Sequence, residues 1–235
     1  MRKSAKGFTL VEVTIILLVL VILSGILLPT IERFIDLARY VKVKEDVGMI
    51  AAIIELWKVD NCSRYFKVCG TSTNQSADNR IDLLVSAVSP QGMIPDTGAF
   101  LPGGGNAYWL VPYTGMPGSF NVDTMENQLV TNTPMGNPAW GYPPPGINPA
   151  SCGWRGAYIS GPLGPDPWGT RYMANVAFLG PQGARSLGAS TPPGFNQYDV
   201  FVLSAGPDKI VQTPFLVDGV IGLGDDMLAL VSGGF

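Results

Sequence analysis

"KGFTLVEVTIILLVLVILSGILLP" (residues 6–29) places one acidic side chain, Glu12, inside an otherwise uncharged apolar run. As an α-helix, residues 8–28 would span about 32 Å, which matches the roughly 30 Å hydrocarbon core of a bilayer. A carboxylate in such a segment is expensive to insert, so a retained one generally has a partner or a task. The basic stretch "MRKSAKG" (1–7) immediately precedes the run. That asymmetry predicts a cytoplasmic N-terminus and translocation of the downstream chain, by the positive-inside rule. A secretory signal starts in the same way. Here the apolar run is longer than a usual signal core, carries Glu12 near its start and leads into more helix without a clear small-residue cleavage site. It is expected to remain as an anchor.

Downstream of Pro29 the pattern becomes amphipathic. Ile31, Phe34, Ile35 and Ala38, then Val43, Val47, Ile50, Ile54 and Trp57, recur at helical spacing among charged residues such as Glu32, Arg33, Asp36, Lys42, Lys44, Glu45 and Asp46. One helix is therefore expected over residues 8–60, with its transmembrane half at 8–28 and with Gly25 and Pro29 bending or loosening it near the membrane surface. The apolar stripe from Val47 to Trp57 reads as the core contact of a globular head at 61–235.

The rest of the composition suits strands and ordered turns better than a helical bundle: charged residues make up only 14% of the chain, against 29 Gly and 20 Pro. The net charge of −3 offers no basic surface for nucleic acid. With no histidine, Ser-His and Cys-His catalysis are excluded, and a zinc site is disfavoured. Of three cysteines, Cys62 and Cys69 could close a short loop in an oxidising compartment, with Cys152 left over; three unpaired thiols are the alternative.

Asn79 is expected to cap a short helix carrying Ile81, Leu84, Val85 and Val88 on one face. From about residue 71 to 150 the chain is crowded with Gly, Pro, Asn and Thr, as in "LPGGGN" and "GYPPPG", and reads as a long ordered insertion with one strand-like stretch, "AYWLVPY". Gly103–Gly105 lack the lysine and the strand-to-helix setting of a phosphate loop. Trp140 and Tyr142 offer a carbohydrate- or partner-binding surface, but packing inside the loop is the simpler account. "RYMANVAFLG" (171–180), "YDVFVLSAG" (198–206) and "MLALVS" (227–232) read as antiparallel strands. The connection between the last two brings Asp208, Asp218, Asp225 and Asp226 into a nearly charge-free setting.

"KGFTLVE" (6–12) resembles the class III signal of the type IV pilin superfamily. "GWRGAYISGPLGPDPWGTRY" (153–172) and "YDVFVLSAGPDK…GDD" are similar to segments of the major pseudopilins of type II secretion. The resemblance covers roughly the first sixty and the last eighty residues. It implies a leader at 1–7, cleavage by a prepilin peptidase after Gly7, and N-methylation of the new terminal amine on Phe8. Losing the three basic residues of that leader would take the charge from −3 to −6. It also implies that Glu12 binds the free amine of a neighbouring subunit and that Pro29 is the family's helix-bending proline. Calcium would be held by Asp208, Asp225 and Asp226 with backbone carbonyls near Leu203, on a loop longer than is usual in the family.

The expected fold is α+β, a long N-terminal helix with a membrane-spanning first half, packed on a small antiparallel β-sheet head with long loops. The expected function is structural, not enzymatic: a subunit that polymerises with itself into a pseudopilus. Its partners would be the peptidase, an inner-membrane assembly platform, minor pilins and the membrane, with no nucleic acid. It would be single-pass in the inner membrane with a periplasmic head, and afterwards part of a periplasmic or extracellular filament. A subunit of a type IV pilus for adhesion or motility, and a singly anchored periplasmic binding protein, are the alternatives.

Overall fold

The computed structural model describes residues 7–62, 65–73, 79–86, 121–147, 151–161, 163–179, 199–215 and 222–231. "AYWLVPY", Gly103–Gly105, Val88 and Asp218 lie outside them. The chain divides into two units, Met1–Lys42 and Val43–Phe235. Helix α1, Leu10–Asn61, is 52 residues long and contributes to both.

In the first unit every described residue from Gly7 to Lys42 is exposed. The helix there is long and apolar enough to cross a membrane, by length and composition. Two of its hydroxyls turn back onto the backbone, Thr14 donating to the Val11 carbonyl at 2.9 Å and Thr30 to that of Ile26 at 3.3 Å. A polar side chain satisfied in this way demands little from lipid. The helix runs through Pro29 without ending, although the proline ring forfeits the hydrogen bond to the carbonyl four residues earlier, at Gly25.

In the second unit, Val43, Val47, Ile50, Ile54 and Trp57 are buried at 3-4 spacing, with Ala51 beside them. The sheet they cover has the order β2-β1-β3-β4-β5. Its strands are β1, Leu83–Val85; β2, Val122–Thr124; β3, Met173–Ala174; β4, Val200–Ser204; and β5, Met227–Val231. Strand β4 is buried at all five positions. It pairs antiparallel with β3, Met173 opposite Leu203, and with β5, Phe201 opposite Leu230. These are the three strands that the dense apolar runs predict, although β3 gives way after two residues to a 3-10 turn, Val176–Phe178.

Two expectations need correction. The helix predicted after Asn79 is instead β1, because Leu83, Leu84 and Val85 are buried on both faces, which a central strand achieves and an amphipathic surface helix does not. The sheet is mixed, since β1 and β2 run parallel with Leu83 opposite Val122. Both strands fall within residues 71–150, so that stretch supplies part of the sheet. The adjoining short helix α2, Met125–Leu129, is capped by Thr124, whose hydroxyl accepts from the Asn127 N–H.

Buried polar clamps hold the loops. The Asp166 carboxylate accepts from the Trp168 and Thr170 N–H groups and from the Thr170 and Ser204 hydroxyls, tying the "DPWG" turn to the end of β4. Asp123 accepts from the N–H groups of Thr124 and Met135 and from the Asn127 and Gln128 amides, and Gln128 accepts from the Tyr142 hydroxyl. The Tyr172 hydroxyl donates to Asp46 on α1 at 2.7 Å. Trp57, wholly buried, stacks on Phe66 with centroids 3.8 Å apart and meets Tyr142 edge-on at 5.1 Å.

The disulfide joins Cys62 to Cys152, 90 residues apart, with Cα atoms 5.3 Å apart, and Cys69 is free. This corrects the Cys62–Cys69 expectation, and the reason lies in the backbone. The Gly153 N–H donates to the Asp60 carbonyl at 2.9 Å, and Arg155 pairs with the Asp60 carboxylate at 3.2 Å, which brings Cys152 to the end of α1. Cys69 is held elsewhere: its N–H donates to Asn79 Oδ1, and its sulfur lies 3.2 Å from the Thr71 hydroxyl.

Candidate functional site

Two places carry the sequence-predicted site residues. At the N-terminal end of α1, Gly7, Phe8 and Thr9 precede the first helical residue, Leu10, and the Phe8 side chain is 81% exposed. The Gly7–Phe8 peptide is therefore outside the helical hydrogen-bond ladder and open to a protease. Glu12 Oε2 accepts from both the N–H and the hydroxyl of Thr9, each at 2.8 Å, and the Glu12 N–H donates to the Thr9 hydroxyl at 3.3 Å. This is a reciprocal capping box, satisfying backbone donors that the first turn of a helix leaves orphaned. Its signature, Thr-x-x-Glu, stands in "TLVE" and was open to sequence reading. Glu12 thus has a local task and is stationed where the helix dipole favours negative charge. Pro29 lies 17 residues further along the same helix, away from this cap.

The second place is the acidic loop between β4 and β5. Asp208 Oδ1 accepts from the Ile210 N–H and its Oδ2 from the Gln212 amide. Asp225 Oδ2 accepts from the Asp208 N–H at 3.1 Å. Asp226 Oδ2 accepts from the Gln212 and Thr213 N–H groups, while its Oδ1 is buried with no hydrogen bond. Two glycines make the approach possible. Gly206 has φ +69°, and a Cβ there would meet the Asp225 carbonyl oxygen at 2.5 Å; Gly224 has φ +65°, with the Gln212 side chain filling the space a Cβ would need.

Burial pushes the Asp226 carboxyl up to about 6, against the opposing pull of the Thr213 and Gln212 N–H groups and with a further push from Asp225. Asp208 is also raised, by partial burial and then by the Asp225 carboxylate. The structure therefore brings Asp208 to Asp225 by a backbone hydrogen bond and Asp226 beside them in sequence. Among the described residues no group of three or more carboxylate or thiol side chains is gathered as a metal-ligand cluster. The feature that suits a hard cation is the bare, buried Asp226 Oδ1 in a field of like charge. Backbone carbonyls would have to complete the six to eight oxygen ligands that calcium takes.

No protein-family profile matches the chain, and no solved structure does. Two curated proteins do, both described as type II secretion system core protein G. The protein from Pseudomonas aeruginosa is 33% identical over 60 residues, 26% of this chain and 42% of that protein. The protein from Klebsiella michiganensis is 33% identical over 64 residues, 27% of this chain and 44% of that protein. The chain thus spans less than half the length of the curated relatives it matches. The apolar α1, the mixed sheet and this partial likeness together support a pilin-like chain related to type II secretion core proteins.

Proposed function

We propose that the protein is a structural subunit that is processed at Gly7–Phe8, remains anchored by residues 8–28 and polymerises with itself into a pseudopilus for type II secretion. The observation that carries this reading is the junction at the N-terminus. A peptide bond outside the helix is followed within a few residues by a carboxylate in a capping box, and then by an apolar helical stretch that is exposed as far as Lys42. Cleavage after Gly7 would create a cationic amine on Phe8, next to the Thr9–Glu12 cap. Glu12 offers a second oxygen to such an amine, on its own chain or on a neighbour, without giving up the cap. A neighbour docked at the wrong height would leave amine and carboxylate unmatched in an apolar setting, so the pair serves register more than net stability. Methylation of the amine retains its charge. The Cys62–Cys152 bridge supports a head in an oxidising compartment such as the periplasm. The proposed partners are a prepilin peptidase, an inner-membrane assembly platform and minor pilins.

Glu12→Ala is expected to leave processing intact and to reduce sedimentable filament by roughly tenfold or more, as befits a charge pair realised only in the assembly. Glu12→Gln, which keeps a capping acceptor without the charge, separates the two roles. Recovery of assembly by Glu12→Gln would assign Glu12 to the cap alone.

The acidic loop is proposed to take calcium, with Asp226 Oδ1, Asp208 and Asp225 as its carboxylate donors. A bound divalent cation would offset the excess of negative charge in a loop whose aspartates are accompanied by a single lysine, Lys209. The Asp226 carboxyl titrates at about 6 in the folded head, above its ordinary value of 3.8. Its stabilising contribution is therefore complete below the ordinary value and is lost as pH rises through about 6. In chelator, the head is expected to lose on the order of 2 kcal/mol between about pH 4 and about pH 7 from this group. Saturating calcium is expected to reverse that loss, and Asp226→Asn to flatten both responses. Thermal unfolding with and without calcium measures this, and an identical melting temperature in the two conditions would remove calcium from the account.

A further inference from the structure

The sequence from residue 127 to 154 carries no charged side chain, and within it "WGYPPPGI" (140–147) dictates one backbone conformation. Each proline ring fixes φ at about −65°, and Tyr142, Pro143 and Pro144, each preceding a proline, are driven out of the α region. Gly141 stands at φ −56°, ψ 151°. Residues 141–145 are therefore a short polyproline-II helix, left-handed, with about three residues per turn and no hydrogen bonds of its own. That period matches the burial. Tyr142 and Pro145, three positions apart, form an inward edge, Tyr142 buried and Pro145 half-buried. Pro143 and Pro144 lie on the other two edges and are exposed, as are Trp140 and Ile147 at the two ends.

The head clamps the segment from its inward side. The Gly70 N–H donates to the Trp140 carbonyl at 2.7 Å, and the Trp154 N–H to that of Pro143 at 2.8 Å. The Asn132 amide accepts from the Tyr142 N–H at 2.7 Å and donates to its carbonyl at 2.9 Å. The Tyr142 hydroxyl accepts from the Lys67 N–H at 2.7 Å. Gly153 lies so close to the backbone of Pro144 and Pro145 that a Cβ would not fit. Held in this way, the segment keeps its conformation without a partner, so that docking loses little chain entropy.

What the outward edges offer decides the partner. The proline rings present apolar faces, and no described residue donates to the Pro144 or Pro145 carbonyl. A groove lined by Trp and Tyr suits both, its rings flanking the prolines and its N–H and O–H groups donating to the carbonyls. An acidic or basic partner finds no charge here to pair with. A bilayer interior would leave the bare carbonyls unsatisfied. A second copy lacks such a groove, since Trp140 is the only exposed aromatic side chain among the described residues of the head.

We propose that residues 141–145, with Trp140 and Ile147 at their ends, are a preformed polyproline-II ligand, and that the partner is a different protein with a groove lined by Trp and Tyr. The contact lies on the head and does not depend on the filament reading.

The test is photo-cross-linking in cells that make the full-length chain with Ile147→p-benzoylphenylalanine, followed by sequencing of the cross-linked peptide. The expected adduct joins a second protein through a peptide that contains Trp or Tyr, and it falls by about tenfold or more in the double variant Pro143→Ala with Pro144→Ala, as for a central interface contact. The melting temperature of the head is expected to stay the same, because both rings are exposed. If the double variant melts lower, Pro144→Ala alone serves in its place. An adduct that persists in the proline variant overturns the proposal. So does an adduct to a second copy of this chain, to lipid or to a peptide without aromatic residues, and so does the absence of any adduct.

Discussion

Cys152→Ser is expected to lower the stability of the head by about 4–5 kcal/mol, because the lost bridge closes a loop of 90 residues. Chain entropy accounts for this size: the longer the loop, the more conformations the cross-link removes from the unfolded chain. Cys69→Ser is expected to change stability by less than about 1 kcal/mol, because the half-buried Cys69 lies outside both the cross-link and the packed core. The contrast between the two variants is the measurement, made by denaturant unfolding of the oxidised full-length protein. Were Cys62–Cys69 the native bridge, the order would reverse. The double variant Cys69→Ser with Cys152→Ser guards against a substitute bridge between Cys62 and Cys69, which would restore part of the lost stability through its shorter loop.

Trp57→Ala is expected to cost about 3–5 kcal/mol, the range for emptying a large buried aromatic site. Trp57 lies where α1, Phe66 and Tyr142 meet, so its removal leaves a cavity that helix, loop and insertion all border. Its indole N–H makes no hydrogen bond. Trp57→Phe therefore loses volume without leaving a polar partner unsatisfied, and is expected to cost about half as much or less. Equal losses for the two variants would mean that ring packing is not what Trp57 provides. Either loss, measured by unfolding, should leave the Glu12 cap unaffected, since the two belong to different units of the chain.

The helix, β4 and β5 were legible because their signals are local. The periodicity from residue 8 to 60 came within two residues of the observed Leu10–Asn61, and "YDVFVLSAG" and "MLALVS" are dense apolar runs between turns. The buried stripe from Val47 to Trp57 followed from the same periodicity, and the structure extends it to Val43. Strand β1 was misread because three consecutive apolar residues have no period that separates strand from helix. Its parallel partner β2, "VDT", carries no apolar pattern at all and is defined by pairing with residues some forty positions away. The disulfide was illegible for the same reason: a bridge across 90 residues depends on which backbone reaches the end of α1, and the Gly153–Asp60 hydrogen bond has no signature in the sequence.

At the candidate sites the balance was similar. Glu12 stood out by its cost in an apolar run, but its bond to Thr9 went unread although "TLVE" carries the capping pattern. Asp208, Asp218, Asp225 and Asp226 stood out as acids in a nearly charge-free stretch, and the resemblance implied Asp208, Asp225 and Asp226 as the ligands. Sequence could not show that Asp226 alone of the three keeps a buried, unpartnered oxygen, nor that two glycines at positive φ let the loop close. Asp166 lay in a quoted motif without an assigned task, and its reach to Ser204 joins residues 38 positions apart.

The central claim is that this chain is processed at Gly7–Phe8 into a membrane-anchored filament subunit. Intact mass and N-terminal sequencing of the protein, extracted from membranes of cells that carry a prepilin peptidase, test it most directly. The expected product is a chain that begins at Phe8 and is heavier by one methyl group. A full-length chain, or one cut beyond Leu28, would contradict the claim and favour a protein that is simply anchored or secreted.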